Sequence, residues 1–100
     1  MKQVIEEAIR IIETGWTQGW FARDKDGVAT EVSSPNACSW CLAGALILAT
    51  NKFNYPWVRL CDFYNKHNSV SMGNYNDHPS RTKEDILRHL RDLGEKINAT

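Results

Sequence analysis

The chain carries no excess of either charge: 12 Lys plus Arg stand against 12 Asp plus Glu. Holding a long nucleic acid takes a basic face, so that class of partner is not expected. One or two well-placed arginines could still hold a small anion. Long apolar runs are missing too. The longest, Trp40 to Ala49, is about half of the roughly 20 residues that a membrane span needs. No secretory leader is expected either, because Glu6 and Glu7 interrupt the aliphatic N-terminus and no small-residue cleavage site follows. Cysteine is scarce and odd in number, 3 residues without the spacing of a disulfide framework, which reads as reduced thiols in a cytoplasmic protein.

What is present is the material of a single small domain spanning residues 1–100. The 42% apolar share is ordinary for a globular chain, and four Trp, three Tyr and three Phe are a rich aromatic supply for its length. Val4, Ile5, Ala8, Ile9, Ile11 and Ile12 fall at helical spacing and predict a first helix from Lys2 to Thr14, stopped by a left-handed Gly15. Asp26-Gly27 between two short runs of strand formers predicts a hairpin within Gly19 to Val32. Ser34-Pro35 reads as the cap and first turn of a second helix reaching Thr50. From Ala37 to Ala49 that helix is apolar nearly all round, so it should be central, and Gly44 within it suggests close approach of another backbone. A third helix begins at Pro56 with Trp57, Leu60, Cys61 and Tyr64 on one face. Asn65 to Arg81 reads as a long loop. A last helix follows the capping-box pattern Thr82-x-x-Asp85, with Ile86, Leu87, Leu90, Leu93 and Ile97 as its stripe. The fold class is α+β, predominantly helical: about four helices around a central apolar helix, plus one short hairpin.

Three features could carry chemistry. Cys38-x-x-Cys41 is half of a zinc site, but no second pair accompanies it, and His67, His78 and His89 lack ligand spacing. As a redox motif it should sit where a strand meets a helix with one thiol exposed. On the expected central helix these are packing cysteines, and no metal or cofactor is implied. A Cys–His hydrolase pairing with His78 is open on sequence distance alone, with nothing marking either thiol as activated. The second feature is Trp16-Thr17-Gln18-Gly19-Trp20-Phe21-Ala22-Arg23-Asp24. Trp16 and Trp20 offer flat apolar faces, Gln18 both donates and accepts, and Arg23 offers a planar cation. The same Trp rings could equally be core, and Arg23 could pair with Asp24. The third is Tyr75-Asn76-Asp77-His78-Pro79-Ser80-Arg81-Thr82, a polar loop entering a helix N-terminus, where free N–H groups and the dipole favour anions. Asp77, Ser80 and Thr82 could instead only organise the turn and the cap.

Taken together, Trp16-Thr17-Gln18-Gly19 through Ala22-Arg23-Asp24, then Ser39-Trp40-Cys41-Leu42-Ala43-Gly44-Ala45-Leu46, then Asn76-Asp77-His78-Pro79-Ser80-Arg81-Thr82 resemble a family of small uncharacterised proteins of phages, prophages and bacteria. The resemblance spans nearly the whole chain and implies no activity. Tyr75 stands where relatives often have Trp. His78 stands where they often have a small residue, which counts against it as a general catalyst. In size and style the chain is also similar to the viral sponge proteins that sequester nucleotide signals of bacterial immunity, such as those of CBASS and Thoeris.

The leading expectation is a non-catalytic binder of a small nucleotide signal. Trp16, Trp20 and Tyr75 would stack on bases, Arg23, Arg81 and Thr82 would hold phosphate, and Gln18, Asn76, Asp77 and His78 would supply hydrogen bonds. The site is expected where Trp16 to Arg23 meets Tyr75 to Arg81. A protein-interaction module inhibiting a host protein is the alternative, and a nucleotide hydrolase with Asp77 and His78 as acid and base is the third reading. The surplus of aromatics predicts a homo-oligomer, with a dimer as the default.

Overall fold

The computed structural model describes residues 1–98. Its elements run α1 (Lys2–Thr14), β1 (Ala22–Arg23), β2 (Ala29–Thr30), β3 (Ser39–Trp40), α2 (Leu42–Lys52), α3 (Trp57–His67), α4 (Met72–Asp77) and α5 (Lys83–Asn98). The class is α+β and predominantly helical, as the apolar periodicities predict.

Helix α1 has the expected bounds and buries Val4, Ile5, Ala8, Ile11 and Ile12. Burying an aliphatic side chain of this kind is worth about 1.5–3 kcal/mol, so this stripe holds the helix in place. It packs against α2 and α5. Gly15 ends it differently from expectation. Its φ is −177°, extended rather than left-handed, and glycine is required there because a Cβ would collide with the Cys38 carbonyl.

Helix α2 is the buried centre: Leu42, Ala45, Leu46 and Ala49 have no exposed surface. Gly44 lies where a Cβ would strike the Phe21 carbonyl, which is the close backbone approach that its position suggested. The helix starts later than predicted, at Leu42 instead of Pro35. Ser34 and Pro35 form a turn, closed by Ser34 N–H donating to Glu31 O and Ala37 N–H donating to Ser34 O. Ser39 and Trp40 are then drawn into a strand by pairing with β1, a tertiary contact that no local propensity announces. Trp40 is buried, and its indole N–H donates to Val32 O at 3.0 Å.

The sheet is antiparallel in the order β2-β1-β3, pairing Ala22 with Thr30 and with Trp40. The outer side of β3 is occupied by the segment after α1: Thr17 N–H donates to Trp40 O and Trp40 N–H to Gly15 O. On the other side, β2 is an open edge.

Helix α3 buries Leu60 and Tyr64 and packs against α5. The long polar loop expected between α3 and α5 is a correction: it holds the six-residue α4, whose N-terminus Ser71 caps by accepting from Asn74 N–H at 3.1 Å. Helix α5 begins on the predicted capping box, with Thr82 N–H donating to Asp85 Oδ2 at 2.9 Å and Asp85 N–H to Thr82 Oγ1 at 3.2 Å. Ile86, Leu87, Leu90 and Leu93 are buried along it, and Ile97 packs on the same core.

Candidate functional site

The two polar segments singled out from sequence do meet, and Asn76 joins them. Fully buried at the end of α4, its Oδ1 accepts from Trp16 Nε1–H at 2.8 Å and from Leu42 N–H at 2.9 Å. Its Nδ2 donates to Thr17 O at 3.1 Å and to Asp77 Oδ1 at 2.9 Å. One amide thus uses both lone pairs and both protons, tying the segment after α1 to the start of α2 and the end of α4. A buried polar group survives only when satisfied in this way.

The surrounding side chains are engaged similarly. Gln18 Nε2 donates to Asn76 O at 2.9 Å and to His78 O at 3.0 Å. Gly19 N–H donates to Asp77 Oδ1 at 3.0 Å. Arg23 does not pair with Asp24. Its guanidinium donates to Thr17 Oγ1, Gln18 O and Gly27 O within 3.0–3.1 Å, bracing the hairpin. Asp24 instead accepts from Asp26 N–H and Val28 N–H and organises the turn. His78 Nδ1 faces Ser80, at 2.8 Å from its Oγ. Trp16 is half-buried against the core. Thr82 serves the α5 cap.

Arg81 sits apart from Arg23. Its Nε–H donates to Tyr75 O at 2.7 Å, and its guanidinium lies 3.7 Å above the Tyr75 ring centre. Tyr75 in turn stacks on His89 at 3.8 Å, and Tyr64 Oη is 2.8 Å from His89 Nε2. Burial is the main cause that lowers the His89 pKa below its usual value, with the Arg81 cation adding to it. Burial likewise pushes Tyr64 up to about 12.

Cys38 and Cys41 lie on either side of β3, not within α2 as expected. Cys38 is exposed, Cys41 buried, and both are free thiols. Three residues of extended chain separate their Cα atoms by about 10 Å, beyond the roughly 7 Å a disulfide can bridge. Cys41 caps α2, its Sγ accepting from Gly44 N–H at 3.2 Å. Burial raises its pKa and the nearby Asp77 charge adds to this, the opposite of activation. Among the described residues no cluster of three His, Cys, Asp or Glu is placed to hold a metal ion, and no helix is long and apolar enough to cross a membrane.

The family assignment rests on a match over most of this framework. A model for a family of unknown function, DUF6197, matches residues 1–96. The chain belongs to DUF6197. No curated protein matches it. No solved structure matches it either.

Within this DUF6197 member the open surface lies beside the network, not in it. Trp20 and Phe21 are 52% and 47% exposed, the most exposed aromatic side chains in the chain. Their rings meet edge to face at 6.1 Å and form a ridge between two clefts. The larger, about 530 Å³, is lined by Trp20, Phe21, Ala29, Thr30, Glu31, Val32, Ser33 and Ile47. The smaller, about 170 Å³, is lined by Gly19, Trp20, Phe21, Cys41, Ala43, Gly73 and Asp77. Neither guanidinium lines either cleft. The sequence reading found Trp20 but missed Phe21, the β2 edge and Ile47. A signal existed: a Trp-Phe pair directly after a glycine, off every helical stripe.

Proposed function

We propose that this protein acts by binding a protein partner through the Trp20–Phe21 ridge and the larger cleft beside it. The observation that carries the reading is the pairing of two adjacent half-exposed aromatics with an apolar groove whose one charged lining residue is Glu31. Aromatic anchors beside a groove are the usual centre of a protein interface, where a single Trp can contribute about 2 kcal/mol or more. The test is affinity capture with the native chain and Trp20→Ala/Phe21→Ala side by side. One stoichiometric partner held by the native chain and released by the variant supports the reading, provided the two melt at similar temperatures. Equal capture by both overturns it. Self-association is the form this reading takes if the partner is a second copy, and light scattering at high micromolar concentration measures it.

A second reading keeps the small nucleotide signal, in the manner of a phage sponge against bacterial immunity. Arg81 supports it: among the described residues only its Nε donates a hydrogen bond, and its guanidinium rides on an aromatic face, so its terminal N–H groups remain available to an anion. Calorimetry against cyclic di- and trinucleotides and ADP-ribose derivatives tests it. Binding that Arg81→Ala weakens, with Trp20→Ala neutral, would move the site to Arg81. Absence of binding tighter than micromolar across the panel removes this reading.

A further inference from the structure

We infer that the occupant of the larger cleft is an extended segment of a partner protein, added as a fourth strand to the open edge of β2 and carrying a basic residue toward Glu31. This rests on the ridge being a binding surface and specifies how that surface is used.

The register supplies the argument. Asp24 N–H donates to Val28 O, and Ala22 faces Thr30 while Arg23 faces Ala29. In an antiparallel ladder, residues alternate between pairs that exchange hydrogen bonds and pairs that do not. The Asp24–Val28 bond therefore makes Ala22–Thr30 the bonded pair and Arg23–Ala29 the unbonded one. Ala29 consequently turns both its N–H and its C=O away from β1. Glu31 N–H points the same way, while Glu31 O is taken by Ser34 N–H. These three backbone groups have no hydrogen-bond partner among the described residues, and they lie along the wall of the cleft.

An incoming strand lies about 4.8 Å from β2. At that distance its backbone meets Ala29 and Glu31, and alternate side chains point down toward Phe21 and Ile47. A helix in the groove would leave the three groups unsatisfied, and so would an apolar small molecule. Pairing through a free sheet edge with side-chain pockets alongside is an established mode of peptide recognition. Glu31 adds the charge preference, since a base on the occupant would meet the one carboxylate in the cleft. The opposite edge of the sheet is closed by Gly15–Thr17, so only β2 can be extended.

The experiment is a selection of random 12-residue peptides displayed on yeast against the full chain. Enriched peptides are then made synthetically and measured by fluorescence anisotropy. The expected peptides alternate apolar with other residues and contain Lys or Arg. Trp20→Ala should weaken them roughly thirtyfold, the scale of an aromatic hot spot. Among the described residues Ala29 O is the one free acceptor on this edge, so single N-methylation should weaken binding about threefold to tenfold at the peptide amide that donates to it and little elsewhere. Because the methyl groups are on the peptide, the protein's folding is untouched. Glu31→Gln should weaken basic peptides and leave neutral ones unchanged.

Peptides that depend on Trp20 but show no sensitive amide in the N-methyl scan overturn strand addition and leave the ridge standing. Peptides whose binding ignores Trp20→Ala, or a selection that enriches nothing, overturn the ridge and the strand together. A chain that is already dimeric at the selection concentration, with Trp20→Ala making it monomeric, overturns the partner assigned here in favour of a second copy.

Discussion

Asn76→Ala should be among the most damaging single changes in this chain, although it alters no apolar contact of size. The substitution leaves Leu42 N–H, Trp16 Nε1–H and Thr17 O without the partner that now holds each of them. Leu42 N–H is buried at the head of α2, and Asn76 Oδ1 is its acceptor. An orphaned buried group costs about 1–3 kcal/mol. The Trp16 and Thr17 groups are part-buried and recover some of their loss from water. The sum is about 3 kcal/mol or slightly more, against a total stability of roughly 5–15 kcal/mol for a small domain. At 4–8 °C per kcal/mol for a chain of this size, the melting temperature should fall by about 12–24 °C. Urea unfolding followed by circular dichroism gives the free energy directly. The companion variant Asn76→Asp keeps both acceptors but loses the donation to Thr17 O and sets a second carboxylate beside Asp77. Burial and that neighbour raise its folded pKa, so its deficit should shrink on acidification, when the new carboxyl takes a proton. A fall of under about 5 °C in Asn76→Ala would mean that the amide is replaceable and that the junction is held elsewhere.

Gly44→Ala should destabilise by at least about 1–3 kcal/mol, the scale of overpacking, because the new methyl meets the Phe21 carbonyl, and a thermal melt reads it. The His89 pKa is lowered in the folded state, so the unfolded chain binds the extra proton between the folded value and about 6.5. Stability should therefore rise with pH through that window and weaken as pH falls through it. His89→Gln should flatten the profile of unfolding free energy between pH 5 and 7.5; an unchanged profile would assign the slope to other groups. In a thiol-labelling time course on the native protein, exposed Cys38 should react first and buried Cys41 last. Rapid modification of Cys41 would contradict its role as a cap, and Cys41→Ser should keep α2 stable, because Ser is a strong N-cap.

What was legible in the sequence is what periodicity and local turn chemistry encode. Helix α1, the hairpin and the capping box of α5 all follow from residues within a few positions of one another. The start of α2 was not legible, because Ser34-Pro35 is a sound cap signal that loses to a tertiary pairing. Ser39 and Trp40 gain a strand partner in β1 and a buried indole. Helix α4 was hidden for a similar reason: six residues rich in Gly and Asn have no helical stripe, and they are held by Asn76 reaching back across 60 positions to Trp16. The meeting of the Trp16–Arg23 and Tyr75–Arg81 segments was expected from their polar composition. Their chemistry was harder to foresee. Hydrogen-bonding side chains in a polar loop suggest a ligand equally well whether they face a ligand or one another, and here Gln18, Arg23 and Asn76 face one another.

The same distinction separates the hydrogen-bonded framework from the exposed ridge. Trp16, Thr17, Gln18 and Gly19 precede Trp20 and Phe21, and Ala22, Arg23 and Asp24 follow them. The flanking residues hold the hairpin and the α4 junction, and Trp20 and Phe21 between them form the ridge. A framework locked by hydrogen bonds can carry different side chains at positions 20 and 21 without refolding, since neither ring belongs to the core cluster. Stability and recognition should then separate. Trp20→Ala/Phe21→Ala should shift the melting temperature by no more than about 4 °C, because half-exposed side chains contribute little burial. Its binding of the yeast-selected peptides should be lost. Replacing the pair with the two residues of another DUF6197 member should restore selection from the same library, but for peptides of different sequence. A grafted chain that enriches the same peptides as the native one would show that recognition lies outside the ridge.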